Sequence, residues 1–272
     1  MRILVIGGGG REHAIVWKLA QSEHASKMWC APGNAGIGQE RLAKNDELVE
    51  CVGIGASDLE KLASFAEDKK VDLTVVGPDD PLGMGIVDLF QARGLRVWGP
   101  NKKAARFEAS KAFSQDFMER HGIPTAKAGT FSTPDEARAF AATMDGRCVI
   151  KADGLALGKG VLMCENQAES NAAVDQIMVE QAFGDAGANV VIQEYLEGIE
   201  VSLHALCDGT TAKLFPTSQD HKRALDGDLG LNTGGMGTYS PAPFLSEAEL
   251  QDVGAKVVDP WLKGCQAEGI DY

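Results

Sequence analysis

Arg2-Ile3-Leu4-Val5-Ile6-Gly7-Gly8-Gly9-Gly10-Arg11-Glu12-His13 is the stretch that decides the fold. An unbroken apolar run of this kind is the pattern of a strand buried on both faces. The four glycines let backbone N–H groups approach an anion closely. A helix is expected from about residue 11 to 20, with its N-terminus beside the glycines, where negative charge is favoured. Strand, tight turn and helix in this order place the loop at the carboxyl edge of an open α/β sheet, where such sheets bind ligands. Three readings fit the loop: a phosphate-ester site, a dinucleotide site, or a tight turn alone. The dinucleotide spacing G-x-G-x-x-G fails, because Glu12 or His13 falls where the third glycine should stand. Arg11 and His13 at the helix start suit a phosphomonoester better than a pyrophosphate lying flush on the backbone.

Outward from this stretch, short strands and helices alternate. Strands are expected at 27–30, 48–52, 71–76 and 95–98, with helices at 58–69 and 86–92. That alternation predicts a parallel sheet covered on both sides. The texture changes near 99–103. A helix is expected over 104–120, a hairpin from 148–152 and 160–164, and a helix over 167–182. Strands follow at 189–193, 200–207 and 211–215. The polar, glycine-rich stretch 216–243 is too long for an ordinary connection and reads as functional. A last helix is expected over 246–267, kinked or broken by Pro260. A second change of organisation is placed near 193–198.

The composition narrows the function classes. The 272 residues carry 26 basic and 39 acidic side chains, a formal charge of −13, with no basic patch or stripe for nucleic acid. No apolar run is long enough to suggest a membrane span. Of the six cysteines no two form a CxxC pair, which fits reduced thiols in a cytoplasmic protein. The histidines show no metal-ligand spacing. Small-molecule partners are therefore expected.

Three further segments carry chemistry. In Lys151-Ala152-Asp153-Gly154-Leu155-Ala156-Leu157-Gly158-Lys159-Gly160 a lysine ends a strand and a glycine loop with a second lysine returns to the next. This suits a cover over nucleotide phosphates. It is not a Walker A loop, which needs one more residue between the glycines and a hydroxyl after the lysine. In Val190-Val191-Ile192-Gln193-Glu194-Tyr195-Leu196-Glu197-Gly198-Ile199-Glu200-Val201-Ser202 an apolar strand runs into acidic residues and a further strand: backbone groups at Glu194–Leu196 suit an adenine edge and a carboxylate suits ribose hydroxyls or a metal, or the segment is a hairpin with exposed acids. The dense polar run Ser218-Gln219-Asp220-His221-Lys222-Arg223, followed by Asn232-Thr233-Gly234-Gly235-Met236-Gly237, suits anion binding. Beside Lys222 and Arg223, His221 is read as neutral and not as the base.

Taken together these segments resemble the glycinamide ribonucleotide synthetase family of the ATP-grasp superfamily. Ala31-Pro32-Gly33-Asn34-Ala35-Gly36, Val76-Gly77-Pro78, Ser110-Lys111-Ala112-Phe113 and Tyr239-Ser240-Pro241-Ala242-Pro243 add to the resemblance, in the right order along the chain. The resemblance implies a Rossmann-like N-terminal domain over 1–100, linking helices and a small ATP-grasp subdomain over 101–192, and the first part of the large subdomain over 193–272. It implies ligation of glycine to 5-phosphoribosylamine with ATP, and magnesium (or manganese) as the metal, by a cytoplasmic monomer or weak oligomer.

Carried over by residue, the resemblance puts Gly9, Gly10, Arg11 and Glu12 on the sugar phosphate, Asn34 and Gly36 on a second substrate loop, and Pro78 with Asp79 on a third. Lys111, Lys151, Gly154, Gly158, Lys159 and Gly160 are implied to handle nucleotide phosphates, Glu194 and Leu196 the adenine, and Glu200 the ribose. Asp220, Lys222 and Arg223 are implied as the polar catalytic residues on the substrate side. The chain departs from the family where Asp79-Asp80 replaces Glu-Ala, Ile199 replaces Glu and Leu157 replaces Ala. The family's metal-holding segment, Glu-Phe-Asn-x-Arg-Phe-Gly-Asp-Pro-Glu, has no counterpart up to Tyr272. The metal ligands are therefore left unassigned, and the resemblance implies an incomplete ATP-grasp fold with weak or no turnover. The rival readings are another ATP-grasp enzyme of purine synthesis acting on bicarbonate or formate, a nicotinamide oxidoreductase, and a nucleotide or sugar-phosphate binder without turnover.

Overall fold

The computed structural model describes residues 1–154, 160–227 and 229–272. They form two compact units, Met1–Arg106 with Asp271–Tyr272, and Phe107–Ile270. The first is built on strands β1 (Arg2–Gly7), β2 (Lys27–Pro32), β3 (Glu50–Cys51), β4 (Leu73–Val76) and β5 (Val97–Trp98). They lie in the order β3-β2-β1-β4-β5, every pair parallel. Side chains alternate across β1. Ile3 and Val5 pack with Val16 and Ala20 of helix α1 (Gly10–Ala20), while Leu4 and Ile6 pack on the other face. There they meet Leu62 and Ala66 of α2 (Leu59–Asp68). Both faces are covered, which is why β1 reads as a continuous apolar run.

The chain moves from β1 outward to β2 and β3, then returns across β1 to β4 and β5. The topological switch lies between β1 and β4, and the Gly7–Gly10 turn opens there. A short helix not anticipated from the sequence, α3 (Asp79–Met84), follows β4 and precedes α4 (Ile86–Ala92). Its interior Pro81 and Gly83 mask it. Asp79 and Asp80 in its first turn favour it electrostatically, and Gly85, at φ +96°, ends it.

The helix expected over 104–120 is two helices, α5 (Lys102–Ala109) and α6 (Lys111–Arg120). Ser110 between them is extended, and its hydroxyl accepts from Phe113 N at 3.1 Å, so a serine inside the periodic run acts as an N-cap. The second unit holds a four-stranded sheet in the order β6-β9-β7-β8, formed by β6 (Ala128–Phe131), β7 (Arg147–Ala152), β8 (Val161–Glu165) and β9 (Val190–Glu194), all pairs antiparallel. Helices α7 (Pro134–Ala142) and α8 (Gln167–Val174) share a core with it around Ala137, Ile150, Val174 and Ile192. The helix expected to 182 passes at Asp175 into a π-helical turn ending at Val179.

The remaining strands are short. β10 (Ala205–Cys207) pairs with β11 (Ala212–Leu214), β12 (Gln219–Asp220) with β15 (Thr238–Tyr239), and β13 (Arg223–Leu225) with β14 (Leu229–Asn232). The long strand expected over 200–207 shrinks to β10, preceded by a single bridge between Ser202 and Ser218. The C-terminal helix is not broken at Pro260. It runs as α9 (Glu247–Val253), a π-helical segment Gly254–Val258, and α10 (Asp259–Glu268). The wider π turn just before the proline gives its ring room and dispenses with the N–H it lacks.

Candidate functional site

In the first unit three loops leave the carboxyl ends of β1, β2 and β4. Gly9 is the N-cap of α1, and its N–H donates to Glu12 Oε2 at 2.7 Å. Glu12 is only 5% exposed. Gly7 and Gly77 both press on its side chain, since a Cβ added at either would lie 2.5 Å from Glu12 Cγ. Glu12, expected to face substrate, therefore turns inward and braces two loops: a carboxylate there satisfies the orphan donor at the helix start. Gly10 lies open, with nothing within 4 Å of where its Cβ would be. It begins the first turn of α1, whose N–H groups have no acceptor within the helix, the arrangement that suits an anion.

Arg11 spans the switch point. Its Nη1 donates to Gly77 O at 2.8 Å and to Asp79 Oδ1 at 3.2 Å, with the side chain still 60% exposed. Asn34 Nδ2 donates to Gly8 O at 2.9 Å, and its Oδ1 accepts from Ile37 N at 2.9 Å, so one side chain ties the second loop to the first. Gly36 is held close by His13, whose Nε2 pairs with Glu40 Oε1 at 2.8 Å. Pro78 caps α3 and Asp79 opens it. Gly9, Gly10, Arg11, Asn34, Gly36, Pro78 and Asp79 are thus gathered on three neighbouring loops.

In the second unit the charged residues converge at the end of β7. Lys111, the first residue of α6, donates from Nζ to Gly154 O at 2.8 Å. The Lys151 ammonium is held below the ordinary lysine range, first by burial and then by its neighbour Lys111, with Glu200 acting in the opposite sense. Glu200 Oε1 accepts from Lys222 Nζ at 2.8 Å, and Asp220 Oδ1 accepts from the same nitrogen at 3.1 Å. Burial would lower the Lys222 ammonium, but the two carboxylates outweigh it and raise it. Lys111, Lys151, Glu200, Lys222 and Asp220 therefore form one connected group of charges.

Other expected residues stand apart from that group. Arg223 turns away from Asp220 and Lys222: its guanidinium donates to Gly230 O at 2.7 Å and to the Met163 sulfur at 3.4 Å. As the first residue of β13 its direction is set by pairing with β14. Glu194 spends Oε1 on Lys127 N at 2.7 Å, beside the exposed Leu196. Gly160 closes the base of the loop by accepting from Ala152 N at 2.8 Å. Gly158 and Lys159 lie outside the described residues. Sequence reasoning missed Asp153, which accepts from both Ser110 Oγ and Ala112 N. A serine and an aspartate 43 positions apart give no local signal of that contact. Among the described residues no group of three or more His, Cys, Asp or Glu is placed to hold a metal ion, and no helix is long and apolar enough to cross a membrane.

Comparison with known proteins gives the chain a family. The phosphoribosylglycinamide synthetase N-domain model covers residues 1–108, and the ATP-grasp (A) domain model of the same synthetase covers 109–272. The chain is 49% identical to a phosphoribosylamine–glycine ligase of Xanthomonas campestris and 47% identical to one of Ralstonia nicotianae, in both cases over its whole length. It spans 62% and 63% of the length of those two relatives. Among solved structures it resembles the phosphoribosylamine–glycine ligase of Thermotoga maritima, with a TM-score of 0.78 and 32% identity over 100% of this chain and 63% of that one. The biotin carboxylase domain of the 2-oxoglutarate carboxylase of Hydrogenobacter thermophilus shares the fold, with a TM-score of 0.72 at 17% identity over 99% of this chain and 58% of that one. With a Rossmann-like sheet in its first unit and an ATP-grasp fold in its second, the chain belongs to the phosphoribosylglycinamide synthetase family.

Proposed function

We propose that the protein serves the ATP-dependent ligation of glycine to 5-phosphoribosylamine through a glycyl phosphate, giving glycinamide ribonucleotide, ADP and phosphate in purine synthesis. The observation that carries this reading is the Lys111 ammonium bonded to Gly154 O, three residues past Lys151 at the end of β7, in a chain of this family. Two ammonium groups held close, one of them partly desolvated, suit an array of phosphate oxygens better than any single anion.

In this reading Lys111 gives up Gly154 O for a nucleotide phosphate oxygen, and Lys151 holds the neighbouring oxygens. The glycine carboxylate attacks the terminal phosphorus and ADP leaves. The amine of phosphoribosylamine then attacks the acyl carbon, phosphate leaves, and the amine loses its proton. Holding the reactants in place supplies much of the acceleration. The first-turn N–H groups of α1 and Arg11 hold the sugar phosphate, Asn34 and Asp79 face the sugar, and Lys222 with Asp220 lines the glycine side. Lys159 and Gly158 belong to the phosphate cover, and Glu194 with Leu196 to the adenine edge.

Magnesium is the metal expected with ATP, and manganese could replace it. The described carboxylates do not fit it: Glu200 and Asp220 are both held by Lys222. The same observation favours a second reading, nucleotide and sugar-phosphate binding by these 272 residues with little turnover. Both are tested by phosphate release in the presence of ATP, magnesium, phosphoribosylamine and one acid at a time. Release above background is expected with glycine and not with bicarbonate or formate. ATP binding without glycine-dependent release selects the second reading, and equal release with bicarbonate or formate contradicts the first.

A further inference from the structure

We infer that Asp153 is a positioning residue for the nucleotide site: it clasps the N-terminus of α6 to the end of β7 and so aims Lys111 at the place marked by Lys151. The inference rests on the reading of that place as the site for ATP phosphates.

The clasp is made of short contacts between segments distant in sequence. Asp153 Oδ1 accepts from Ser110 Oγ at 3.1 Å and from Ala112 N at 2.9 Å, and Oδ2 lies 3.3 Å from the same hydroxyl. Ser110 meanwhile accepts from Phe113 N as the cap of α6. The helix start thus has two caps, one from its own chain and one from the loop base. Lys111 sits between the two residues that Asp153 holds, and its ammonium reaches Gly154, the very next residue after the clasp.

The other side of the clasp is fixed to the sheet. Asp153 N donates to Asn189 O at 3.1 Å, and Ala152 N to Gly160 O at 2.8 Å. Gly154 packs closely, because a Cβ there would stand 2.7 Å from Ala186 Cβ. A carboxylate fixed on one strand end therefore sets where α6 starts, and Lys111, as the first helical residue, inherits that position. An anionic acceptor at a helix N-terminus also matches the helix dipole, which favours a charged group over a neutral one there. Stabilising the fold alone would need only the Ser110 cap. The added carboxylate couples the lysine-bearing helix to the lysine-bearing strand.

The test is a set of ATP titrations by calorimetry on the full chain, with ribose 5-phosphate titrations as control. Asp153→Ala is expected to raise the Kd for ATP at least about fivefold, the usual scale for losing a charged acceptor. In a Lys111→Ala background the same change is expected to add less than about twofold, because the two residues act through one contact. Asp153→Asn keeps an oxygen acceptor and should recover most of the affinity. Ser110→Ala should weaken ATP in the same direction, and its effect with and without Lys111→Ala decides the matter if melting shows that Asp153→Ala does not fold. Ribose 5-phosphate affinity should not move. An Asp153→Ala effect of equal size with and without Lys111, or none at all, would overturn the positioning role while leaving the proposed function intact. A wild-type chain that binds no ATP would overturn both.

Discussion

The loops of the first unit and the hairpins of the second are both rich in glycine, yet they are held by different means. In the first unit Gly7–Gly10, Gly33–Gly36 and Gly77–Asp79 hang from one parallel sheet. Each is anchored by a side chain within the unit: Glu12 on Gly9, Asn34 on Gly8, Arg11 on Gly77. In the second, β10 to β15 are strands of two to four residues joined in separate pairs. Leu225 and Leu229 remain 63% and 62% exposed there. A binding loop on a buried sheet is positioned by the core beneath it. A hairpin with its apolar residues in solvent is positioned by its few polar contacts, here Lys222 with Glu200 and Asp220, and Arg223 with Gly230.

The largest expected contrast is in stability. Phe90 in the first unit and Phe117 in the second are fully buried, and replacing either by Ala should cost about 3–5 kcal/mol. Leu229→Ala should change stability by less than about 0.5 kcal/mol. Urea melts of the three variants measure this directly, and a Leu229 effect as large as the phenylalanine effects would show that the hairpins share a core.

A smaller and more local contrast lies within the first unit. Gly77→Ala puts a Cβ 2.3 Å from Glu12 Oε1, in a place where Glu12 cannot withdraw without releasing Gly9. It should cost about 1–3 kcal/mol and abolish sugar-phosphate binding. Gly10→Ala meets nothing within 4 Å and should stabilise the helix start by about 0.4–1 kcal/mol. If the two variants melt alike, Glu12 is not the brace described.

The smallest effect has an unusual sign. Because the Lys151 ammonium is held below the lysine value of 10.5, the folded chain binds fewer protons than the unfolded one between the two values. Stability therefore rises with pH through that window, and below it the charged lysine is a cost. Lys151→Met should raise the melting temperature at neutral pH, and the gain should vanish once the pH exceeds 10.5. A lower melting temperature at neutral pH would mean that Lys151 is stabilised by Glu200 more than it is burdened by burial and Lys111.

The sequence was legible where one segment carries its own explanation. Residues 2–6 announce a doubly covered strand, and the glycines after it announce a tight turn into a helix, because side-chain period and backbone freedom are local properties. It was opaque where a contact joins distant segments. Ser110 splits a helix that its apolar spacing runs straight through, and Asp153 gives no hint that it will cap that helix. Glu12 reads as a polar residue beside a ligand, but the glycines opposite it leave a hole that its side chain fills. Pro260 reads as a kink or a break because sequence does not show the π turn that precedes it. Of the residues expected to cover phosphates, Lys151, Gly154 and Gly160 are described, while Gly158 and Lys159 fall outside the described residues.

The central claim is that the two units divide the ligands, sugar phosphate to the loops after β1, β2 and β4, and ATP to the end of β7. It is tested by titrating Arg11→Ala and Lys151→Met each with ribose 5-phosphate and with ATP. Arg11→Ala should lose at least about tenfold in ribose 5-phosphate affinity and keep its ATP affinity, as expected for one charge-assisted phosphate contact. Lys151→Met should show the reverse. Loss of both ligands by either variant, or of neither by both, would contradict the division.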